Sequence, residues 1–107
     1  MNGEPSSDRM DQLDETIHQR HRLGLLAFLS GVDRADFTTL RNELGLTDGN
    51  LNRHLALLAE AGYVRISKRA TPGRRVRTWV ALSSTGREAL SAHVRSLQAL
   101  IDSVPPV

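Results

Sequence analysis

The chain has 107 residues, of which 39% are apolar and 24% charged, with a net charge of +2 and no cysteine. That length is one domain's worth of core, and the missing thiols exclude disulfides, thiolate metal sites and cysteine redox switching. No apolar run reaches membrane-spanning length; the longest candidate, Leu23 to Leu29, is interrupted by Gly24. The opening residues, MNGEPSSDRMDQ, lack the apolar centre of a signal peptide, so a cytoplasmic location is expected.

In chain order, residues 1–10 read as an acidic, disordered leader. Through residue 16 the segment holds Glu4, Asp8, Asp11, Asp14 and Glu15 against Arg9. A domain is expected over residues 11–102, followed by a short tail, 103–107. The spacing predicts one helix from about Asp11 to Ser30, amphipathic at Leu13, Ile17 and His21, then apolar all round through LGLLAFL and therefore covered on two sides. Gly31 is a candidate C-cap, and GVDRAD a short connection. A second helix, capped by Thr38 or Thr39, carries Leu40 and Leu44 and stops at Gly45. After Leu46, Thr47 caps a third helix, expected over 47–62, with Asp48 at the positive end of its dipole. Leu51, Leu55, Leu58 and Gly62 form its apolar stripe, while Gly49, Asn50, Asn52 and Arg53 point away from it.

The period then changes. YVRISKR and VRTWVAL alternate as strands, and the TPGR between them has the chemistry of a type II turn. Residues 65–78 hold Arg65, Lys68, Arg69, Arg74, Arg75 and Arg77 with no acid, the footprint of a polyanion binder. Ser83 or Ser84 caps a last helix striped by Leu90, Val94, Leu97 and Ile101, and Pro105 and Pro106 follow it.

Helix, helix, short turn, helix, hairpin, helix is the order of a winged helix-turn-helix, a mostly helical α+β fold. Helix 47–62 suits the major groove, where Asn pairs with adenine and Arg with guanine, and wing 68–77 suits the backbone or a narrow minor groove. The DNA-contacting set expected from this pattern is Thr47, Asp48, Gly49, Asn50, Asn52, Arg53, Lys68, Arg69, Arg74, Arg75 and Arg77. FTTLRNELGLTDGNLNRHLALLAEAGYV, GRRVRTWVAL and LSSTGREAL together resemble the MarR-type winged helix regulators, with a recognition segment also similar to that of ArsR-type repressors. The resemblance spans Leu13 to Ile101 and implies a homodimeric, sequence-specific DNA-binding regulator, usually a repressor, acting on a pseudo-palindromic operator. Base-facing residues by motif position are Asp48, Gly49, Asn50, Asn52 and Arg53, with Arg74 and Arg75 on the wing. Asn52 stands where a small hydroxyl residue is usual, so its base preference is not carried over. Members that sense small effectors are commonly longer than this chain, and the resemblance names no effector for it.

Leftover apolar surface on the first and last helices points to a dimer seam of Leu13, Ile17, Leu90, Val94, Leu97 and Ile101. Catalysis finds no motif: there is no phosphate-cradling glycine loop and no HExxH, and SSTG opens a helix. Two other readings remain, a protein-interaction module and a metal-responsive sensor using His18, His21 and His93. Histidines without a carboxylate or thiol at fixed spacing do not define a metal site, so no metal or cofactor is expected.

Overall fold

A computed structural model describes residues 13–73 and 75–106; residues 1–12 (the acidic leader among them), Arg74 and Val107 lie outside the described residues. Among the described residues, five helices and a three-stranded antiparallel sheet follow in the order α1 (Glu15–His18), α2 (Arg20–Leu29), β1 (Ala35–Asp36), α3 (Phe37–Leu44), α4 (Asp48–Glu60), β2 (Val64–Ala70), β3 (Val76–Leu82) and α5 (Ser84–Asp102).

The single helix expected over 11–30 is two. Gln19 adopts an extended backbone (φ −62°, ψ 131°), and its side-chain oxygen accepts from the backbone N–H groups of His21 and Arg22 at 2.9 and 3.0 Å, so one residue ends α1 and caps α2. Tertiary anchors on Asp14 override the helical pattern here. Its Oδ1 caps α1, its Oδ2 accepts from the Tyr63 hydroxyl at 2.5 Å, and its N–H donates to His93 Nδ1 at 3.1 Å. Helix α2 is central, with Leu25, Leu26 and Leu29 buried among the other helices and β3. Its apolar faces are thus covered by its own chain. The helix ends at Ser30 in right-handed conformation, so Gly31 is not the cap.

Residues Ala35 and Asp36, expected as connection, instead form β1 on the edge of β3, pairing Ala35 with Val80 and Asp36 with Trp79. Asp36 rather than a threonine caps α3, accepting the Thr39 N–H at 2.9 Å. Gly45 ends α3 with φ +64°, as the pattern predicts, and Thr47 caps α4 by accepting the Asn50 N–H at 3.1 Å. Leu51, Leu55 and Leu58 are buried, whereas Gly62 lies beyond the helix, where its φ of +81° turns the chain into β2.

Strands β2 and β3 pair from Val64 opposite Leu82 to Ala70 opposite Val76, and Gly73 takes φ +86° in the connecting turn. Only the base of this hairpin joins the core, through Val64, Val80 and Leu82; farther out, Ile66 is 41% exposed and Val76 65%. The wing is a ribbon reaching past the body. Ser83 starts α5, its hydroxyl accepting the Gly86 N–H at 2.9 Å and donating to the Gly62 carbonyl at 2.6 Å.

The expected dimer seam divides. Leu13, Ile17 and Leu90 are buried within the chain itself, so their apolar surface is already used by the domain core and is not left over for a partner. Val94 and Ile101 are 50% and 57% exposed, and Leu97 is half-buried.

Candidate nucleic-acid interface

The outer face of α4 begins with residues that form a helix poorly but sit well on its first turn. Thr47 caps it, Asp48 favours the dipole, and Gly49, Asn50, Asn52 and Arg53 are all exposed. Because Leu51, Leu55 and Leu58 anchor the opposite face, positions 49, 52, 53 and 56 face outward. Asp48 is not isolated: its Oδ1 accepts from Arg41 Nη1 at 2.9 Å, linking the two helices across the turn.

The wing and this face meet in one groove. Asn52 and Ala56 of α4 stand opposite Ile66, Lys68 and Thr78 of the wing, with Phe37 and Leu55 between them. Asn52 of α4 and Lys68 and Thr78 of the wing, far apart in sequence, therefore line one concavity. A second groove brings Arg75, Val76, Arg77 and Thr78 beside Asp36 and Thr38 at the start of α3. Arg65, Lys68, Arg69, Arg75 and Arg77 are exposed on the wing, whereas Arg74 is outside the described residues. Arg77 is partly engaged: its Nε lies 3.7 Å from Asp36 Oδ2 and its guanidinium 5.6 Å from the Trp79 ring, which Arg34 covers at 3.9 Å. Hydrogen bonding from Thr39, and secondarily the charge of Arg77, hold the Asp36 carboxyl below its ordinary value despite the opposing effect of burial.

Sequence reasoning missed Arg41, Thr38 and Asp36. The tight turn between α3 and α4 hinted at the first, since it brings the last turn of one helix against the first turn of the next. The other two depend on β1, which carries no periodic signal.

The histidines segregate. His18 Nδ1 meets His93 Nε2 at 3.2 Å, whereas His21 stacks near His54, ring centroids 5.5 Å apart, and His54 Nδ1 accepts from Arg22 at 3.2 Å. His18, His21 and His93 thus do not converge, and among the described residues no group of three or more His, Asp or Glu is placed to hold a metal ion. His54 packs against α2 rather than joining the outer face of α4.

His93 is 1% exposed, and its bonds fix its protonation state. Because Nδ1 accepts the Asp14 N–H, the ring proton sits on Nε2 and faces His18 Nδ1. Burial first, then the neighbouring His18, push its pKa down, against the smaller opposing pull of Asp14 and Glu15. Burial and then Arg22 lower that of His54. In the unfolded chain both groups take up protons near their ordinary 6.5 while the folded chain resists. Stability contributed by the neutral rings is complete above pH 6.5 and declines as pH falls below it. Urea titrations between pH 7.5 and 5 should show that decline, and His93→Gln should flatten it while losing stability at pH 7.5; an equal slope in the variant would remove His93 as a source.

A helix-turn-helix joined to a basic wing on one face defines a winged helix protein. A family model for winged helix DNA-binding domains matches residues 21–101. The chain belongs to that winged helix DNA-binding family. It is 35% identical over 83 residues to an uncharacterized protein of Methanocaldococcus jannaschii, covering 78% of this chain and 89% of the relative. It is similar to a transcriptional regulator homologue from Pyrococcus horikoshii, at 31% identity and a TM-score of 0.80, covering 91% of this chain and 93% of that one. A MarR family regulator of Streptomyces coelicolor, solved in complex with DNA, aligns at 25% identity and a TM-score of 0.61 over 94% of this chain and 69% of its own.

Proposed function

We propose that this chain is a cytoplasmic homodimeric repressor that reads a pseudo-palindromic duplex, with α4 in the major groove and the wing on the flanking backbone or minor groove. The observation that carries it is the shared groove: Asn52 of α4 and Lys68 of the wing line the same concavity. A duplex presents its major-groove base edges and its adjacent backbone to one side of a bound protein, and this surface answers with amides and arginine at the centre and cations outside.

Within that geometry Asn50, Asn52 and Arg53 supply base-edge donors and acceptors, and Gly49 removes a side chain where the backbone approaches most closely. Lys68, Arg69, Arg74 and Arg75 neutralise phosphates, Thr47 keeps a hydroxyl proton for one, and Asp48 offers an acceptor when Arg41 turns to the backbone. Dimerisation uses the outer face of α5, where Val94, Leu97 and Ile101 remain available to a second copy. It sets two α4 helices about 34 Å apart, one turn of DNA.

Selection of bound sequences from random duplexes tests the whole reading. Two inverted half-sites one turn apart are expected; recovery of single half-sites would remove the dimer, and no enrichment would remove sequence-specific binding. On the recovered site Arg53→Ala should cost about 1–3 kcal/mol and relax selectivity at one position per half-site. A uniform loss across all sequences would reassign Arg53 to the backbone.

A further inference from the structure

The outer wing has little to hold its direction. Beyond Val80 and Val64 its side chains leave the core, and β1 pairs with β3 only at residues 79 and 80. A two-stranded ribbon of this kind twists and swings readily. Nearer the tip, the ion pair among the described residues that reaches back to the body joins Arg77 to Asp36.

Asp36 is placed to act as a post. Its backbone belongs to β1, its Oδ1 caps α3, and its Oδ2 faces Arg77 Nε at 3.7 Å. The cap fixes the carboxylate relative to α3, which packs against α4 across the short turn between them. On the sheet, Trp79 stands directly across from Asp36 in the β1–β3 register and lies beside the Arg77 guanidinium, with Arg34 on the same ring. Arg77 therefore has an anion and an aromatic ring as neighbours before any ligand arrives.

We infer that Asp36 and Arg77 form a strut that sets the angle of the wing relative to α4, so that Arg77, counted from sequence among the DNA-contacting cations, is a positioning residue for the cations nearer the tip. This rests on the proposed DNA-binding reading and alters one part of it. A phosphate-binding arginine and a strut arginine respond differently to the same substitutions. If Arg77 serves phosphate, Asp36 competes for it, and Asp36→Asn tightens binding; Arg77→Gln then lowers the salt slope by about 0.9 for each phosphate it no longer neutralises. For a strut, both changes loosen the wing and weaken selective binding, with no counterion-linked change in slope.

Asparagine caps a helix as well as aspartate does, so Asp36→Asn removes the charge and keeps α3, whereas Asp36→Ala removes both. Fluorescence anisotropy would be measured on the duplex recovered by selection and on a scrambled duplex of equal length, across a salt series. Asp36→Asn and Arg77→Gln should each weaken the recovered duplex about two- to fivefold, the range of an exposed ion pair. Neither should weaken the scrambled duplex, and the double variant should be no worse than either single change. Melting of Asp36→Asn should match the parent while Asp36→Ala melts lower; Arg77→Gln, on an exposed strand, gives a second route free of the cap. Tighter binding by Asp36→Asn, additive losses, unchanged affinity or a reduced salt slope in Arg77→Gln each overturn the strut. If the parent enriches no duplex at all, the DNA-binding reading fails with it, an outcome distinct from these four.

Discussion

Replacing Gly86 by alanine should unfold a large share of the protein at temperatures the parent withstands. A Cβ built at Gly86 would lie 2.0 Å from the Tyr63 carbonyl oxygen, 2.8 Å from its carbon and 2.9 Å from Leu82 Cδ1. The oxygen cannot simply retreat, because it accepts the Ser83 N–H at 3.0 Å, and Ser83 in turn binds the neighbouring Gly62 carbonyl. Helix propensity favours alanine over glycine by about 1 kcal/mol, but a clash with fixed backbone is the larger effect. A loss of about 3 kcal/mol or more is expected, and with it a fall in Tm of at least about 10 °C. Gly49→Ala is the matched contrast. Nothing lies within 4 Å of its added Cβ, and its backbone is helical, so a gain of up to about 1 kcal/mol is expected. Scanning calorimetry of the two variants should show opposite shifts, and a mild effect at Gly86 would mean that the start of α5 can slide away from Tyr63.

Affinity for the selected duplex should collapse with salt. A dimer neutralising roughly six to ten phosphates loses about three to five decades between 50 and 200 mM salt. The cations assigned to phosphate, Lys68, Arg69, Arg74 and Arg75, counted twice in a dimer, are enough for the middle of that range. Substituting Arg75 together with Arg74 should flatten the slope with little change in base preference. A protein that held its affinity through 200 mM salt would be reading its partner by surface contacts other than charge, as an interaction module does.

How much of this was legible in the sequence depended on how local each signal is. Helix α4 was readable to within two residues because Thr47, the leucine stripe and the change of period after Gly62 all act over a few positions. The hairpin was readable for the same reason, and the left-handed Gly73 falls where the turn chemistry placed it. Strand β1 was not, because two residues have no period and Ala35 is extended only because Val80 of β3 lies opposite. The break at Gln19 was hidden behind a good amphipathic pattern, since its cause is the docking of Asp14 on Tyr63 and His93, 49 and 79 positions away. Asp36 was within reach: aspartate caps as well as threonine, and an apolar Phe37 follows it. Periodicity identified the apolar faces of the first and last helices without saying which neighbour would cover them, and Leu13, Ile17 and Leu90 went to the core.

Among the described residues, the sheet order β1–β3–β2 leaves β2 at the margin, with one side of its backbone unpaired from Val64 to Ala70. Such a margin invites the same strand of another molecule to add to it, and Arg65, Lys68 and Arg69 resist this by mutual repulsion between copies. On this view the same cations that would meet a polyanion also discourage the free protein from clumping. Neutralising all three at once should yield aggregates by light scattering, and only single changes along β2 will report on ligand affinity alone.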